Sequence, residues 1–453
     1  MRFTSRIRLV SAIVCAFAEV TCDGGPGAGS GSESEVSTAV QESVVAEFDR
    51  AAAVLVGQSA VPPDPTVVST SRDLVKAHPS GPTLLRAVAQ VMRSSRAGHQ
   101  EVATEDLCSA LSAEYPKEHH SRFGVCGRPY RDGIVITHSR DGNRLGLALG
   151  DWVTSVDGIR GAQLFEFVLK NIACGTSVLS ASAVRETAAA SLFATVLPGA
   201  HLEVMSPSGS SRSVVIPDTG DPAWTSCTDP WGVTSEVVSG TRRNDGVTIL
   251  SIRRFRSIDS PDSELSAKIR QIVNGSAGAP LVVDVRGNAG GYGSLLTEVL
   301  SLLPGMRAGK IGSCSSKSSG ATAEPAAPFE APPSQPMVTK PSNVVALTDG
   351  LAFSAGDAFP LLAQRFGNVP VVGTPTQGEL NYGATAEPVK IDGPFPLFVT
   401  PTLSVCFDDN GEPLAGSGAR VDRVVELDPK DVARGIDTQL EAAVAVALER
   451  QPR

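Results

Sequence analysis

The chain has 453 residues, which is enough for two or three domains that each bury a hydrophobic core. Hydrophobic residues make up 42% and charged residues 19% of the chain, as is typical of globular proteins. The formal net charge is -9 and no dense cluster of Lys and Arg is present, so the composition excludes nucleic acid as an expected partner.

The first 22 residues have the order of an export signal. Arg2, Arg6 and Arg8 precede a mostly apolar run over residues 9–20, which is too short to span a bilayer as a helix. Cys22 and the Gly- and Ser-rich segment after it resemble a bacterial lipoprotein acylation site. The sequence therefore predicts an exported protein that is periplasmic, secreted or held at the cell surface by a lipid anchor at Cys22, with residues 23–36 as a flexible linker.

Cysteine usage is consistent with an oxidising compartment. Beyond Cys15 and Cys22 the chain has Cys108, Cys126, Cys174, Cys227, Cys314 and Cys406. This even number permits up to three disulfides, and we expect Cys108 and Cys126 to pair because they are close in sequence; free buried thiols are the alternative. No CxxC or Cys/His spacing indicates zinc, so neither a metal nor an organic cofactor is expected.

Residues 37–127 predict a small helical domain, because apolar side chains recur at helical spacing between prolines that separate the segments. Near its end lies Glu118-His119-His120, the first pattern in the chain whose residues could act in catalysis. A histidine pair of this kind is more often a solvated surface feature. The remaining histidines fall in contexts that suggest no role: His78, His99, His138 and His201.

Residues 128–218 predict a β-rich domain. A strand pattern begins at Asp132, residues 145–158 read LGLALGDWVTSVDG, and residues 201–217 read as a closing hairpin. This pattern resembles PDZ domains, which bind an extended chain along a sheet edge. A PDZ-like fold used only for packing is the alternative. Residues 170–198 are rich in Ala and Ser and predict a helical insertion or lid.

Between residues 240 and 440 the pattern alternates strands and helices. Residues 247–252 and 281–285 predict strands with a helix at 263–273 between them, which implies an α/β fold with parallel pairing through right-handed crossovers. Residues 306–341 have little periodicity and predict a long mobile loop. Residues 441–453 predict the end of a C-terminal helix.

Ser354 lies where a predicted strand turns into a predicted helix. The apolar run at 344–347 breaks at Thr348-Asp349-Gly350, and apolar residues at helical spacing follow Ser354. At such a corner a hydroxyl can project into a cleft, while the first N–H groups of the helix offer hydrogen bonds to an oxyanion. The alternative is a serine that only caps the helix.

A glycine-rich loop at 287–293 follows the predicted strand at 281–285 and precedes a predicted helix at 294–303. Glycines let backbone N–H groups face a ligand without a Cβ in the way. A phosphate-binding loop is not expected, because the glycines lack GxGxxG spacing and no Lys-Ser/Thr follows them.

Three motifs in this order, RGNAGG at 286–291, FSAGD at 353–357 and VVGTPTQG at 371–378, resemble the tail-specific, or C-terminal processing, family of serine peptidases. The details are closer to the branch that contains tricorn protease and the chlamydial protease-like activity factor than to the Ser–Lys branch. The resemblance implies a ClpP/crotonase-like spiral core, joined to the PDZ-like domain and the N-terminal helices. It also implies that Ser354 is the nucleophile and that Ala355, with Gly290 or Gly291, forms the oxyanion hole.

The same resemblance assigns the general base. In the tricorn-like branch an acidic-x-His step supplies it, and Glu118-His119-His120 matches that step with His120 in the role and His119 as the alternative. A neutral imidazole, with a pKa near ~6.5, can accept the proton of a serine hydroxyl.

Two carboxylates are candidates for orienting the histidine. The Ser–Lys branch has its lysine 25 residues after the serine, where this chain has Glu379, so a Ser–Lys dyad is not expected. The tricorn-like branch has a Glu shortly before a Gly-Val-x-Pro step, which corresponds here to Gly418-Ala-Arg-Val-Asp422, and an ungapped comparison places Ala415 at the Glu position. Glu412 is preferred, as in a shorter loop, and Glu379 is the alternative.

The predicted function is an exported serine endopeptidase that cleaves exposed or C-terminal polypeptide segments through an acyl-enzyme. The alternative from another class is a catalytically inactive homologue that binds peptides through the PDZ-like domain. A crotonase-like hydratase would need an acyl-CoA site, for which the sequence has no phosphate-binding pattern. Polypeptides are the expected partners, and the sequence predicts no particular oligomeric state.

Overall fold

The computed structural model describes residues 38–95, 99–103, 120–172, 175–176, 180–219, 225–227, 236–256, 262–316, 329–336, 340–380, 388–416 and 418–449. The predicted export signal, the linker and the predicted lipid anchor at Cys22 lie outside these residues, as do Cys108 and His119. In the part of the chain that is described, no helix is both long and apolar enough to cross a membrane.

Several of the described helices begin where the sequence supplies a cap. Asp64 and Ser80 accept hydrogen bonds from the first turns of the second and third helices, and Ser180 does the same for the fifth. The helices of the described residues are α1 (Thr38–Gln58), α2 (Pro65–Ala77), α3 (Gly81–Ser94), α4 (Ala162–Lys170), α5 (Ala181–Thr195), α6 (Asp262–Gly275), α7 (Gly293–Leu302), α8 (Ala355–Gly367), α9 (Pro429–Val432) and α10 (Thr438–Glu449).

The strands of the described residues group into several sheets, some of which join segments that are distant in the chain. They are β1 (Glu101–Ala103), β2 (His120–Ser121), β3 (Val125–Tyr130), β4 (Gly133–Ser139), β5 (Trp152–Val156), β6 (Ile159–Arg160), β7 (Gly175–Thr176), β8 (His201–Met205), β9 (Ser211–Val215), β10 (Thr225–Ser226), β11 (Val238–Arg242), β12 (Thr248–Ile252), β13 (Pro280–Asp284), β14 (Gly309–Ile311), β15 (Ser313–Ser316), β16 (Phe329–Ala331), β17 (Asn343–Thr348), β18 (Val371–Gly373), β19 (Val389–Ile391), β20 (Leu397–Thr400), β21 (Ser404–Phe407) and β22 (Arg423–Val424).

A six-stranded sheet of order β11-β12-β13-β17-β18-β22 carries the candidate site. Within this sheet β12, β13, β17, β18 and β22 are parallel to one another, as the strand–helix alternation predicts, and β11 is antiparallel to β12. Alternate side chains of β13 enter different cores. Leu281 and Val283 pack with α6, α7 and α8, whereas Val282 packs with α10. The α/β fold class is therefore confirmed, and the sheet has helices on both faces.

An antiparallel sheet of order β3-β4-β5-β8-β9, with β6 paired to β5, forms the β-rich unit. Its likeness to a PDZ domain stays a prediction. Helix α5 belongs to the segment that we expected to be an insertion or lid, but its Ala188, Ala189 and Leu192 are fully buried in the core of this unit. The helix also contacts the turn before Ser354, since a Cβ on Gly350 would lie 2.7 Å from Cγ of Glu186. Helix α5 is thus a packed support rather than a lid.

The N-terminal helices α1 to α3 form the predicted helical region, but their core is shared with distant strands. Ile391, Leu397 and Val399, from β19 and β20, are buried together with residues of α1 and α3. Strand β1 pairs with β20, so residues 101–103 and 397–400 lie side by side. The predicted boundary between the N-terminal domain and the core is therefore crossed by a sheet.

The segment at 306–341 is more structured than predicted. Strand β14 pairs with β16, and β15 pairs with β21. The expectation of one long mobile loop is therefore wrong for the described part of this segment, because short strands give too little periodicity to be recognised from sequence.

Two disulfides join distant parts of the described chain, Cys126–Cys227 and Cys314–Cys406. The predicted Cys108–Cys126 pair is wrong, because Cys126 is already bonded to Cys227. The cause lies in the sheet: β10 pairs with β2, which brings Cys227 next to the start of β3. Proximity in sequence was outweighed by strand pairing.

Candidate active site

Ser354 lies between β17 and α8 in a strained backbone conformation. It has φ 56° and ψ -115°, a region that residues with a Cβ rarely occupy. It occupies the N-cap position of α8, yet its side chain makes no capping hydrogen bond. The hydroxyl is therefore not used to stabilise the helix, which argues against the helix-cap alternative.

The imidazole of His99 is the partner of that hydroxyl. His99 Nε2 lies 2.8 Å from Ser354 Oγ, and the ring packs against Phe353 with the ring centroids 4.8 Å apart. Burial lowers the pKa of His99 to about 4. The ring is thus neutral at neutral pH and able to accept a proton.

Glu379 is the carboxylate beside His99. Its Oε2 accepts a hydrogen bond from the backbone N–H of His99 at 2.5 Å and lies 3.8 Å from Nδ1 of the ring. Nδ1 itself is buried and makes no hydrogen bond with any described residue. The Glu379 side chain is fully buried, so the carboxylate and the ring face each other away from bulk water. A small rotation of the ring would allow the Nδ1 proton to be donated to the carboxylate.

Asp357, in the first turn of α8, holds the loop that carries Glu379. Its two carboxylate oxygens accept hydrogen bonds from the backbone N–H groups of Gly378, at 3.1 Å, and Glu379, at 2.7 Å. Burial raises the pKa of Asp357 to about 7. The helix that begins at the serine therefore also fixes the backbone of the acid.

The glycine-rich loop packs directly against Ser354. Gly290 has φ 80°, and a Cβ added there would lie 2.7 Å from Cβ and 3.2 Å from Oγ of Ser354. The N–H of Gly290 is engaged, because it donates to Oδ1 of Asn288 at 2.8 Å. Gly290 thus provides space for the serine rather than an oxyanion donor, which narrows the predicted pair of glycines to Gly291.

The N–H groups of Gly291 and Ala355 donate to no acceptor among the described residues. Gly291 has φ 140° and follows the glycine that touches Ser354, and Ala355 is the first residue of α8. Donors that are preorganised beside a nucleophile can stabilise the oxyanion of a tetrahedral intermediate. These two amides are the candidate oxyanion hole.

Backbone hydrogen bonds tie the glycine-rich loop to the serine loop. The carbonyl of Asn288 accepts from the N–H of Phe353 at 2.8 Å, and Oδ1 of Asp349 accepts from the N–H of Gly287 at 2.9 Å. Asp349 Oδ1 also accepts from the N–H of Leu351 at 3.1 Å. Because these groups are buried, both loops are held in one arrangement.

The structure places residues beside Ser354 that differ from two of the predicted ones. The ring against Ser354 is that of His99, whereas the backbone of His120 is in β2 opposite Ser226 and its side chain lies outside the described residues. Glu412 is exposed in a turn, where its N–H donates to Oδ1 of Asp408, so the preference for Glu412 over Glu379 is also corrected. Ser354 and Ala355 lie at the junction of β17 and α8, and their catalytic roles stay predictions.

His99 was missed because its sequence context carries no family motif. It has φ 59° in a turn after α3 and just before β1, and 255 residues separate it from Ser354. Only the pairing of β1 with β20 reveals that this turn approaches the core. Glu379 stands at the lysine position of the Ser–Lys branch. In the sequence this position excludes a Ser–Lys dyad, but it does not show that the carboxylate lies beside a histidine.

Comparison with known proteins places part of the chain near one peptidase family. Residues 246–419 match the family described as peptidase family S41. The tricorn protease homolog of Saccharolobus solfataricus is 29% identical over 172 residues, which are 38% of this chain and 14% of that protein. The tricorn protease of Thermoplasma acidophilum is 27% identical over 185 residues, which are 40% of this chain and 15% of that protein. The match thus spans less than a fifth of the length of these relatives.

A solved structure resembles nearly the whole chain. The structure of mature CPAF complexed with lactacystin has a TM-score of 0.63 and 13% sequence identity, and the alignment covers 90% of this chain and 98% of that one. At this identity the likeness concerns the fold. It extends well beyond residues 246–419.

Proposed function

We propose that this chain, whose residues 246–419 match peptidase family S41, is an exported serine endopeptidase that cleaves exposed or C-terminal polypeptide segments through an acyl-enzyme. The observation that carries the proposal is the 2.8 Å distance between Nε2 of His99 and Oγ of Ser354. Nucleophile and base within hydrogen-bond reach are the geometric requirement for activating a serine.

In the first step Ser354 Oγ attacks the carbonyl carbon of the scissile peptide bond, and its proton passes to Nε2 of His99. For Nε2 to accept, the neutral ring must carry its proton on Nδ1, which faces Glu379 Oε2. The carboxylate then offsets the charge of the imidazolium that forms. The N–H groups of Gly291 and Ala355 donate to the negative oxygen of the tetrahedral intermediate.

The intermediate collapses when the C–N bond breaks and His99 returns the proton to the leaving amine. Water then attacks the acyl-enzyme, again giving a proton to Nε2, and Ser354 recovers its hydrogen as the new carboxyl group leaves. Every proton transfer uses the same ring nitrogen. Each step therefore needs only groups that already surround Ser354.

The proposal of export has two supports. The first 22 residues have the order of a signal with Cys22 at its end, and the disulfides Cys126–Cys227 and Cys314–Cys406 belong to an oxidising compartment. A lipid anchor at Cys22 is the form of attachment that this pattern suggests.

One observation favours the inactive, peptide-binding alternative. Nδ1 of His99 makes no hydrogen bond with a described residue, while Oε2 of Glu379 accepts from the backbone instead. In an inactive homologue this arrangement would persist in the presence of substrate. In a peptidase, binding of substrate turns the ring until Nδ1–H reaches the carboxylate.

A fluorophosphonate probe separates the two functions. The purified mature protein should be labelled on Ser354, the Ser354→Ala variant should not be labelled, and His99→Gln should react at least about a hundredfold more slowly. His120→Gln is the matched control and should react like the unmodified protein. Folded protein that takes up no label would reject the peptidase in favour of the binding protein.

A further inference from the structure

An aromatic ring and two arginines lie beside the glycine-rich loop and take no part in the proposed chemistry. Tyr292 follows Gly291 and is 50% exposed, which is unusual for a large aromatic side chain. Arg254 and Arg256 are both exposed, and Cζ of Arg256 lies 6.0 Å from the centroid of the Tyr292 ring. We call these three residues the arginine–tyrosine patch.

The side chains of residues 253–256 alternate between more buried and exposed positions. Arg253 binds Asp284 from the inner side at 3.1 Å, and Phe255 is fully buried in the main core. Arg254 and Arg256 are the exposed members of this segment. The guanidinium of Arg256 lies over the ring of Tyr292, and Arg254 is two residues away along the chain.

Two glycines connect this surface to the nucleophile. The N–H of Phe255 donates to the carbonyl of Gly290 at 2.7 Å, and the N–H of Tyr292 donates to the carbonyl of Phe255 at 2.9 Å. A Cβ on Gly291 would lie 2.9 Å from the backbone nitrogen of Arg256, while a Cβ on Gly290 would touch Ser354. A chain seated at Ser354 therefore lies next to the patch.

The charge of the patch differs from that of the molecule. The chain has a formal net charge of -9, yet neither Arg254 nor Arg256 forms an ion pair with a described residue. A guanidinium presents a fork of N–H donors that fits a carboxylate, and an exposed ring beneath it offers an apolar surface to the neighbouring chain. The patch is thus a local positive region that attracts negatively charged groups, although the molecule as a whole is acidic.

We propose that the arginine–tyrosine patch is a substrate subsite that recognises a carboxylate close to the scissile bond, so that the preferred substrates carry Asp, Glu or a free C-terminus there. The subsite rests on the proposed function, because it adjoins the nucleophile of that function. The guanidiniums bind the carboxylate, and Tyr292 packs against the backbone or side chain beside it. Side-chain and terminal carboxylates share this chemistry.

The test measures binding apart from cleavage. Labelled peptides share the same apolar residues at their centre. In each pair one position beside this centre carries either Glu or Gln, and each peptide is made with a free and with an amidated C-terminus. Their affinities are measured by fluorescence anisotropy on full-length mature protein with Ser354→Ala. The comparison adds Arg254→Gln with Arg256→Gln in that background, and Arg242→Gln, an exposed arginine of β11, as the matched control.

We expect the peptide with a carboxylate at the preferred position to bind about tenfold more tightly than its uncharged match, with a ratio that falls as salt is raised. The ratio should drop to about one in the double arginine variant and persist in Arg242→Gln. A preference only for free over amidated peptides would identify the terminal carboxylate. Equal affinities in the Ser354→Ala protein, or a preference that survives loss of both arginines, would overturn the subsite; loss of probe labelling would instead reject the peptidase.

Discussion

Ser354 and His99 meet although 255 residues separate them in the chain, and the contact places an imidazole nitrogen 2.8 Å from the hydroxyl oxygen. The backbone of both residues has positive φ, which a residue with a Cβ adopts only when its surroundings hold it there. Strain at both partners of one hydrogen bond is a further sign of a site built for chemistry.

Glu379 should be essential and Glu412 dispensable. Glu379→Gln keeps the shape of the side chain but removes the charge that offsets an imidazolium, so kcat should fall by about two to four orders of magnitude. Peptide cleavage or the rate of fluorophosphonate labelling measures this. Glu412→Gln, in an exposed turn, is the control and should retain full activity; a larger effect at Glu412 than at Glu379 would reject the assignment.

Gly290 should not tolerate a side chain. A Cβ there would lie 2.7 Å from Cβ of Ser354, so Gly290→Ala forces the nucleophile or the loop to move. We expect activity to fall at least about a hundredfold while circular dichroism remains that of a folded protein. Gly57→Ala, in helix α1 with nothing within 4 Å of the added carbon, should leave activity as it was. Normal activity of Gly290→Ala would show that the loop does not pack on Ser354 in solution.

Among the elements, α8 links the two ends of the site, because Ser354 precedes it and Asp357 in its first turn holds the backbone at Glu379. The strand–helix corner at Ser354 could be predicted because it depends on local patterns: an apolar strand, a turn and a helix. The positions of His99 and Glu379 could not, since they depend on which strands pair across the molecule.

Asp357 should make stability depend on pH. Burial raises its pKa from 3.8 to about 7, so between these values the folded protein binds a proton that the unfolded chain has released. The contribution of Asp357 to the free energy of unfolding is therefore greatest below about pH 4 and is lost as the pH rises through about 7. The free energy of unfolding, relative to that of Asp357→Asn, should decrease by up to about 4 kcal/mol over this range.

Urea titrations at several pH values measure this difference. Glu412→Gln, a change of an exposed carboxylate, should follow the unmodified protein at every pH. A difference between the unmodified protein and Asp357→Asn that stays constant with pH would contradict the raised pKa that burial gives to Asp357.

At the scale of the whole molecule, the site depends on parts of the chain outside residues 246–419. Those residues include Ser354, Glu379 and the glycine-rich loop, but His99 comes from the turn between α3 and β1. The sequence predicted parallel strands of the central sheet, the helices of the N-terminal region and the strand–helix corner at Ser354. It did not predict that β19 and β20 lie outside the central sheet and pack into the core formed by α1 and α3. Strands this short have no distinct sequence pattern.

A protein that starts at residue 240 should therefore be inactive. It lacks His99, and it exposes Ile391, Leu397 and Val399, which are otherwise buried against the N-terminal helices. We expect no fluorophosphonate labelling and a tendency to aggregate, measured by light scattering. Adding residues 38–239 as a separate chain should restore labelling if the two parts associate, and labelling of the shorter chain alone would show that His99 is not required.

The most direct test of the account is a crystal structure of the mature protein after reaction with a fluorophosphonate. We predict phosphorus bonded to Ser354 Oγ, a phosphonyl oxygen within hydrogen-bond distance of the N–H groups of Gly291 and Ala355, and His99 with Nε2 facing the adduct and Nδ1 hydrogen-bonded to Glu379. An adduct on another residue, or the ring of His120 rather than His99 beside the phosphonate, would contradict it.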